Sequence, residues 1–154
     1  MDVNMVNPIL AAFTDVLPQI GFQTIEKKGI SLIGSTLNND GMLLNIALLG
    51  QLKGVILIGM NIDSAKRFAS KMMMGMEVAE FDSLAQSAIS EMGNMVCANA
   101  CTQFSKTGLE GLDISPPTLM IGDGVQATLP VPQIIKVKFN VDDIDINVYI
   151  GLIV

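Results

Sequence analysis

Val55-Ile56-Leu57-Ile58-Gly59-Met60 has a counterpart near the end of the chain in Asn147-Val148-Tyr149-Ile150-Gly151-Leu152. Both are apolar runs with a glycine just before the last residue, and both read as the second strand of a hairpin. The match extends upstream. Ile30-Ser31-Leu32-Ile33-Gly34 corresponds to Pro117-Thr118-Leu119-Met120-Ile121-Gly122, and a helical stretch precedes each. The shared order of helix, strand and hairpin reads as an internal duplication, with repeats at about 5–75 and 80–154. Two units of one helix and three strands predict an α+β fold, a six-stranded, mainly antiparallel sheet with helices packed on one face. The 154 residues fit a single domain.

Local signals place the elements. Pro8 suits a helix start, and Ile9, Leu10, Phe13, Val16 and Leu17 form an apolar stripe that Pro18 and Gly21 end, predicting a helix over about 5–20. β-like stretches follow at Phe22 to Ser35, Met42 to Leu49 and Leu52 to Met60, and the tight turns between them predict antiparallel pairing of successive strands. Asn61 or Asp63 can cap a second helix ending near Gly75. A long helix opens at Asp82-Ser83, with Ser83-x-x-Gln86 as a capping box, and runs to about Lys106 before Gly108. Three further strands are predicted at Thr118 to Ile121, Ile134 to Val141 and Ile144 to Val154. Val55 to Ile58 is apolar on both faces and Met72-Met73-Met74 adds flexible apolar surface. A second layer or a second copy would cover it, and a homodimer is expected, the alternative being that these runs are buried within the monomer with Met filling gaps.

Composition excludes several function classes. Nine Lys and Arg against fifteen Asp and Glu give a net charge of −6, which opposes nucleic-acid binding, because that needs clustered cations. No apolar run reaches the ~18 residues of a spanning helix and the first residues lack a signal-peptide pattern, so no membrane insertion and a cytoplasmic location are expected. The chain has no histidine, which removes Ser-His-Asp and Cys-His catalysis and most zinc sites. Cys97 and Cys101 lack partners to complete a metal shell and read as packing thiols. A single tyrosine and no tryptophan leave little for stacking bases or sugars.

Within the long helix, Ser87, Glu91 and Asn94 fall within an arc of roughly 60° at about 100° per residue. Phe81, Ala85, Ala88, Ile89, Met92 and Val96 gather on the other side. A hydroxyl, a carboxylate and a carboxamide on one face suit a solvated surface equally well. Asn99 projects toward the apolar arc and reads as a satisfied buried amide. Gly93 costs about 1 kcal/mol relative to Ala in a helix interior. It allows close approach, either of a partner or of the fold's own packing.

Ser87-x3-Glu91-x2-Asn94, followed after twenty-two residues by Pro117, resembles the signature of the CheC/CheX/FliY phosphatases of bacterial and archaeal chemotaxis. Length, the duplicated architecture and acidic composition agree over nearly the whole chain. The first helix, Asn7 to Leu17, has no Glu and hence no second motif. That points to the branch of the family with one active helix, whose members are of similar size and form homodimers.

The resemblance implies hydrolysis of the aspartyl phosphate of the response regulator CheY. Phosphorylated CheY would be the partner and would supply the Mg²⁺, with no cofactor intrinsic to this chain. The catalytic residues implied are Glu91 and Asn94. Asn94 can accept a hydrogen bond from water and donate one to a phosphoryl oxygen without repelling the dianion. Glu91 would engage the partner's active-site lysine. Ser87, Glu91 and Gly93 are the expected partner contacts, although Ser87 could equally bond its own helix backbone. Pro117, without donor or charge, marks the motif structurally. A non-catalytic adaptor, binding a response regulator or flagellar-switch protein through the same helix, is the competing expectation.

Overall fold

The computed structural model describes residues 5–153. Its elements run α1 (Asn7–Val16), a 3-10 turn (Leu17–Ile20), β1 (Ile25–Ile33), β2 (Thr36–Asn38), β3 (Met42–Leu49), β4 (Lys53–Met60), α2 (Ile62–Met72), α3 (Ser83–Lys106), β5 (Asp113–Ile114), β6 (Thr118–Ile121), β7 (Gln126–Thr128), β8 (Ile134–Val141) and β9 (Ile144–Ile153). The main sheet has the order β1-β8-β9-β4-β3, with β5 and β6 sharing the far edge of β3. Seven antiparallel strands thus fill the six positions expected from the sequence, and the fold is α+β.

The pairing of successive strands differs from expectation. β1 pairs not with β3 but with β8, aligning Ile25 with Val141 and Ile33 with Ile134. Reciprocally, β6 pairs with β3, aligning Met42 with Ile121 and Asn45 with Thr118. The first strand of each half therefore lies beside the hairpin of the other. The reason lies in the segment after β1, which crosses the outer face as β2 and pairs there with β7 instead of turning back. Leu37 of β2 is buried with Leu43, Leu57, Val131, Ile134 and Tyr149. This thin second layer is what Val55 to Ile58 required: Ile56 and Ile58 belong to the main core, whereas Leu57 lies under the outer layer.

On the inner face, Met42, Leu44, Ile46, Ile56, Ile58, Val137, Val148 and Ile150 meet Phe13, Phe68, Ile89, Met92 and Phe104 of the helices. α3 buries Ala85, Ile89, Met92, Gly93, Val96, Cys97, Ala100 and Phe104 as one stripe. Its start is fixed one residue earlier than the predicted box. The Asp82 carboxylate accepts from the Ala85 N–H at 3.0 Å, while the Gln86 side-chain amide donates to the Phe81 carbonyl at 2.9 Å. α2 is capped by Asn61, which accepts from the Ser64 N–H at 2.7 Å. No helix among the described residues is long and apolar enough to cross a membrane.

The β8–β9 turn carries both Asp142 and Asp143 in the left-handed region, at φ 48° and 65°. That matches the twist of a two-residue hairpin and aims the Asp142 carboxylate back into the molecule. It accepts from the Thr24 N–H at 2.7 Å, the Thr24 hydroxyl at 2.8 Å, the Gln23 N–H at 3.1 Å and the Lys71 ammonium at 2.6 Å. One side chain thus joins the entry to β1, the end of α2 and the second hairpin.

Candidate functional site

The exposed side of α3 forms one wall of a groove of about 590 Å³, to which it contributes Ser87, Ser90, Glu91 and Asn94. Asp113, Ile114, Ser115, Pro116 and Pro117 form the opposite wall. Residues from the sequence motif therefore meet in one place: Ser87, Glu91 and Asn94 stand on the helix and Pro117 faces the same space.

Two prolines build the second wall by breaking an edge strand. Pro116 and Pro117 have no N–H to give to β3, so the ladder stops after β5 and resumes at β6. Ser115 fills the gap, its N–H donating to the Ala47 carbonyl at 3.0 Å and its hydroxyl oxygen accepting from the Ala47 N–H at 2.9 Å. The break is thereby anchored to β3 and held open toward α3.

The groove is electronegative. Glu91 and Asp113 contribute carboxylates, and no Lys or Arg is among its lining residues. The Asp113 side chain is oriented by the Ile114 N–H at 2.8 Å. Among the described residues no three His, Cys, Asp or Glu side chains gather to hold a metal ion. The surface offers a carboxamide, hydroxyls and negative charge, suited to receiving a partner's cation and ordering a water.

Gly93 is placed differently from its expected role as a partner contact. It faces the sheet, buried against β3, where an added Cβ would overlap Leu44 Cδ2 and come to 3.0 Å from Ile46 Cδ1. The close approach that it permits is between α3 and its own sheet. Asn99 is half-buried and accepts from the Gln103 amide at 3.1 Å. Cys97 is buried and Cys101 half-buried, both with free thiols. Burial, followed by the influence of Cys101, pushes the Cys97 thiol up to about 12.

Sequence reasoning missed Ser90, Asp113, Ser115 and Pro116. Ser90 was within reach, since helical spacing sets it beside Asn94, and the Pro116-Pro117 pair is itself a strand-breaking signal. Asp113 and Ser115 carry no such signal, because only the fold of β5 onto β3 brings them to α3.

The family model for Chemotaxis phosphatase CheX matches residues 42–140. The chain belongs to the CheX family. This is the branch that the single motif-bearing helix pointed to, and the matched stretch includes all of α3 and Pro117. The CheY-P phosphatase CheX of Thermotoga maritima is 31% identical over 109 residues, a stretch covering 66% of each protein. A CheC-like superfamily protein from Shewanella sp. PV-4 shares the fold, with a TM-score of 0.87 and 22% identity over 100% of both chains. CheX of Borrelia burgdorferi, solved in complex with CheY, BeF3 and Mg²⁺, is 26% identical with a TM-score of 0.81, over 96% of this chain and 97% of that one.

Proposed function

We propose that this chain is a CheY-phosphate phosphatase in which Asn94 positions the attacking water and Glu91 engages the active-site lysine of the regulator. The observation that carries this reading is the meeting of Ser87, Glu91, Asn94 and Pro117 in one groove of a CheX-family fold. The Thermotoga relative, named as a CheY-P phosphatase, and the Borrelia CheX bound to CheY support the partner.

The aspartyl phosphate is an acyl phosphate whose carboxylate is already a good leaving group, so a helper must chiefly align water with phosphorus. In the reaction the water oxygen bonds to phosphorus as the bond to the regulator's carboxylate oxygen breaks. The aspartate leaves as carboxylate and the water protons end on phosphate or solvent. Mg²⁺ bound by the regulator would offset phosphoryl charge. Asn94 holds the water with its carbonyl oxygen and donates from its amide to a phosphoryl oxygen. A carboxylate beside a phosphoryl dianion is repelled by about 2 to 8 kcal/mol at 4 Å, depending on the effective dielectric. Glu91 therefore belongs against a cation, and the groove contains none of its own.

Phosphate release from CheY with acetyl phosphate and Mg²⁺ tests the proposal. Wild type should accelerate release, and Asn94→Ala should abolish about a hundredfold or more of the effect, the scale of a lost positioning group, while still binding phosphorylated CheY. Glu91→Ala should weaken both binding and rate. No acceleration by wild type would leave the adaptor reading in its place.

We further propose that the chain works in the cytoplasm as a homodimer paired along β1. Among the described residues β1 is a free sheet edge, and Ile30 and Leu32, aligned with the core residues Val137 and Ile135, are 46% and 59% exposed. They extend the apolar inner face past the part that the helices cover, and an uncapped edge strand pairs readily with another. Light scattering should give a dimer for wild type and a monomer for Ile30→Lys with Leu32→Lys. A monomeric wild type would overturn this.

A further inference from the structure

Leu84 lies in the first turn of α3 with 57% of its surface exposed. The turn is not frayed, because Asp82 caps it through the Ala85 N–H and Gln86 ties it to the Phe81 carbonyl. A rigid helix start thus presents an apolar side chain to solvent, where a polar residue would cost nothing in packing. Helical geometry sets its direction: Leu84 is two turns before Glu91, about 20° off the same line and about 10 Å along the axis, with Ser87 between them.

We propose that Leu84 is a docking residue for the regulator, an apolar contact one helical turn beyond the N-terminal end of the groove that sets affinity and takes no part in chemistry. The inference rests on the CheY-phosphatase reading. A protein partner covers roughly 800 Å² on each side of a standard interface, a disc of about 16 Å radius. A partner centred on Glu91 and Asn94 therefore covers Leu84 as well. The occupant is the surface of the regulator flanking its phosphorylation pocket, and that surface must be apolar opposite Leu84.

The test measures phosphate release against the concentration of phosphorylated CheY for wild type, Leu84→Ala and Leu84→Met. Leu84→Ala should raise the half-saturating concentration about fivefold to thirtyfold, the range for truncating an interface anchor, with the maximal rate unchanged. Leu84→Met should restore most of the affinity. Ala is at least as good a helix former as Leu, so thermal melts of the variants should coincide with that of wild type. An unchanged half-saturating concentration, with wild type active, would overturn the inference and leave the phosphatase reading intact. A fall in maximal rate alone would also overturn it, by assigning Leu84 to the positioning of the motif. A change in oligomeric state would do so by assigning it to contact between copies. An inactive wild type would instead remove the phosphatase reading, and the inference with it.

Discussion

Gly93 sits directly against Leu44, with no room between the helix backbone and the Leu44 side chain for a methyl group. The contact sets the distance of α3 from the sheet, and on the opposite side of the same turn stand Glu91 and Asn94. Gly93→Ala gains about 1 kcal/mol in helix propensity but forces Leu44 off its packed position, an overpacking cost of about 1–3 kcal/mol. The net loss should be about 1 kcal/mol in urea unfolding, larger for Gly93→Val. If α3 is lifted, the dephosphorylation rate falls with it. Full activity and unchanged stability in Gly93→Val would show that the packing is slack.

What the sequence revealed and what it hid divide by the range of the interaction. Helices, the six longer strands and the Ser87, Glu91, Asn94 face follow from periodicity and caps, which are local, whereas the short strands β2, β5 and β7 were not expected. The crossing of β1 to β8 was hidden, because a turn signal at Asn38 to Gly41 reads the same whether the chain folds back or crosses the sheet as β2. Gly93 shows the same limit at the site. Its lack of a side chain was visible, but which neighbour needed the space depended on Leu44 and Ile46, distant in sequence. Asp113 reached the groove by long-range pairing with Leu49.

Asp142 should make the fold sensitive to acid. Burial raises its pKa, but the Lys71 ammonium, the Thr24 N–H and hydroxyl and the Gln23 N–H outweigh that and hold the carboxyl well below its ordinary 3.8. A depressed folded-state pKa means that the stabilisation is complete above the unfolded value and lost as pH falls from about 4 through the folded value. Asp142→Asn replaces an acceptor oxygen by a donor facing other donors, and should lose about 2–3 kcal/mol at pH 7, in line with hydrogen bonds to a charged group. In urea unfolding the gap between wild type and variant should narrow from pH 7 to pH 3. A gap constant with pH would show that the charge contributes nothing.

The two cysteines should differ in reactivity. The thiolate is the reactive species, and burial pushes Cys97 up to about 12 while the half-buried Cys101 is raised chiefly by burial and then by the Asp113 charge. At pH 8 a disulfide reagent should modify Cys101 slowly and Cys97 only on unfolding. Cys97→Ser with Cys101→Ser should retain dephosphorylation activity. Rapid labelling of Cys97 in the native chain would show that the core opens at α3.

Asp113 should govern how salt affects the encounter with the regulator. It shares the groove with Glu91, no Lys or Arg lines that space, and its exposed side chain is held by the Ile114 N–H at 2.8 Å. An exposed charge near an interface acts mainly on the association rate, and screening over about 8 Å at physiological ionic strength weakens it. If the regulator brings a cation to Glu91, Asp113 adds to the attraction from the opposite wall. Asp113→Asn should lower the apparent second-order rate of dephosphorylation about twofold to threefold at low salt, with the maximal rate unchanged. The difference should vanish as sodium chloride is raised. A variant that is faster at low salt would mean that the second carboxylate repels the phosphoryl group more than it attracts the partner's cation, so that Glu91 alone makes the productive contact.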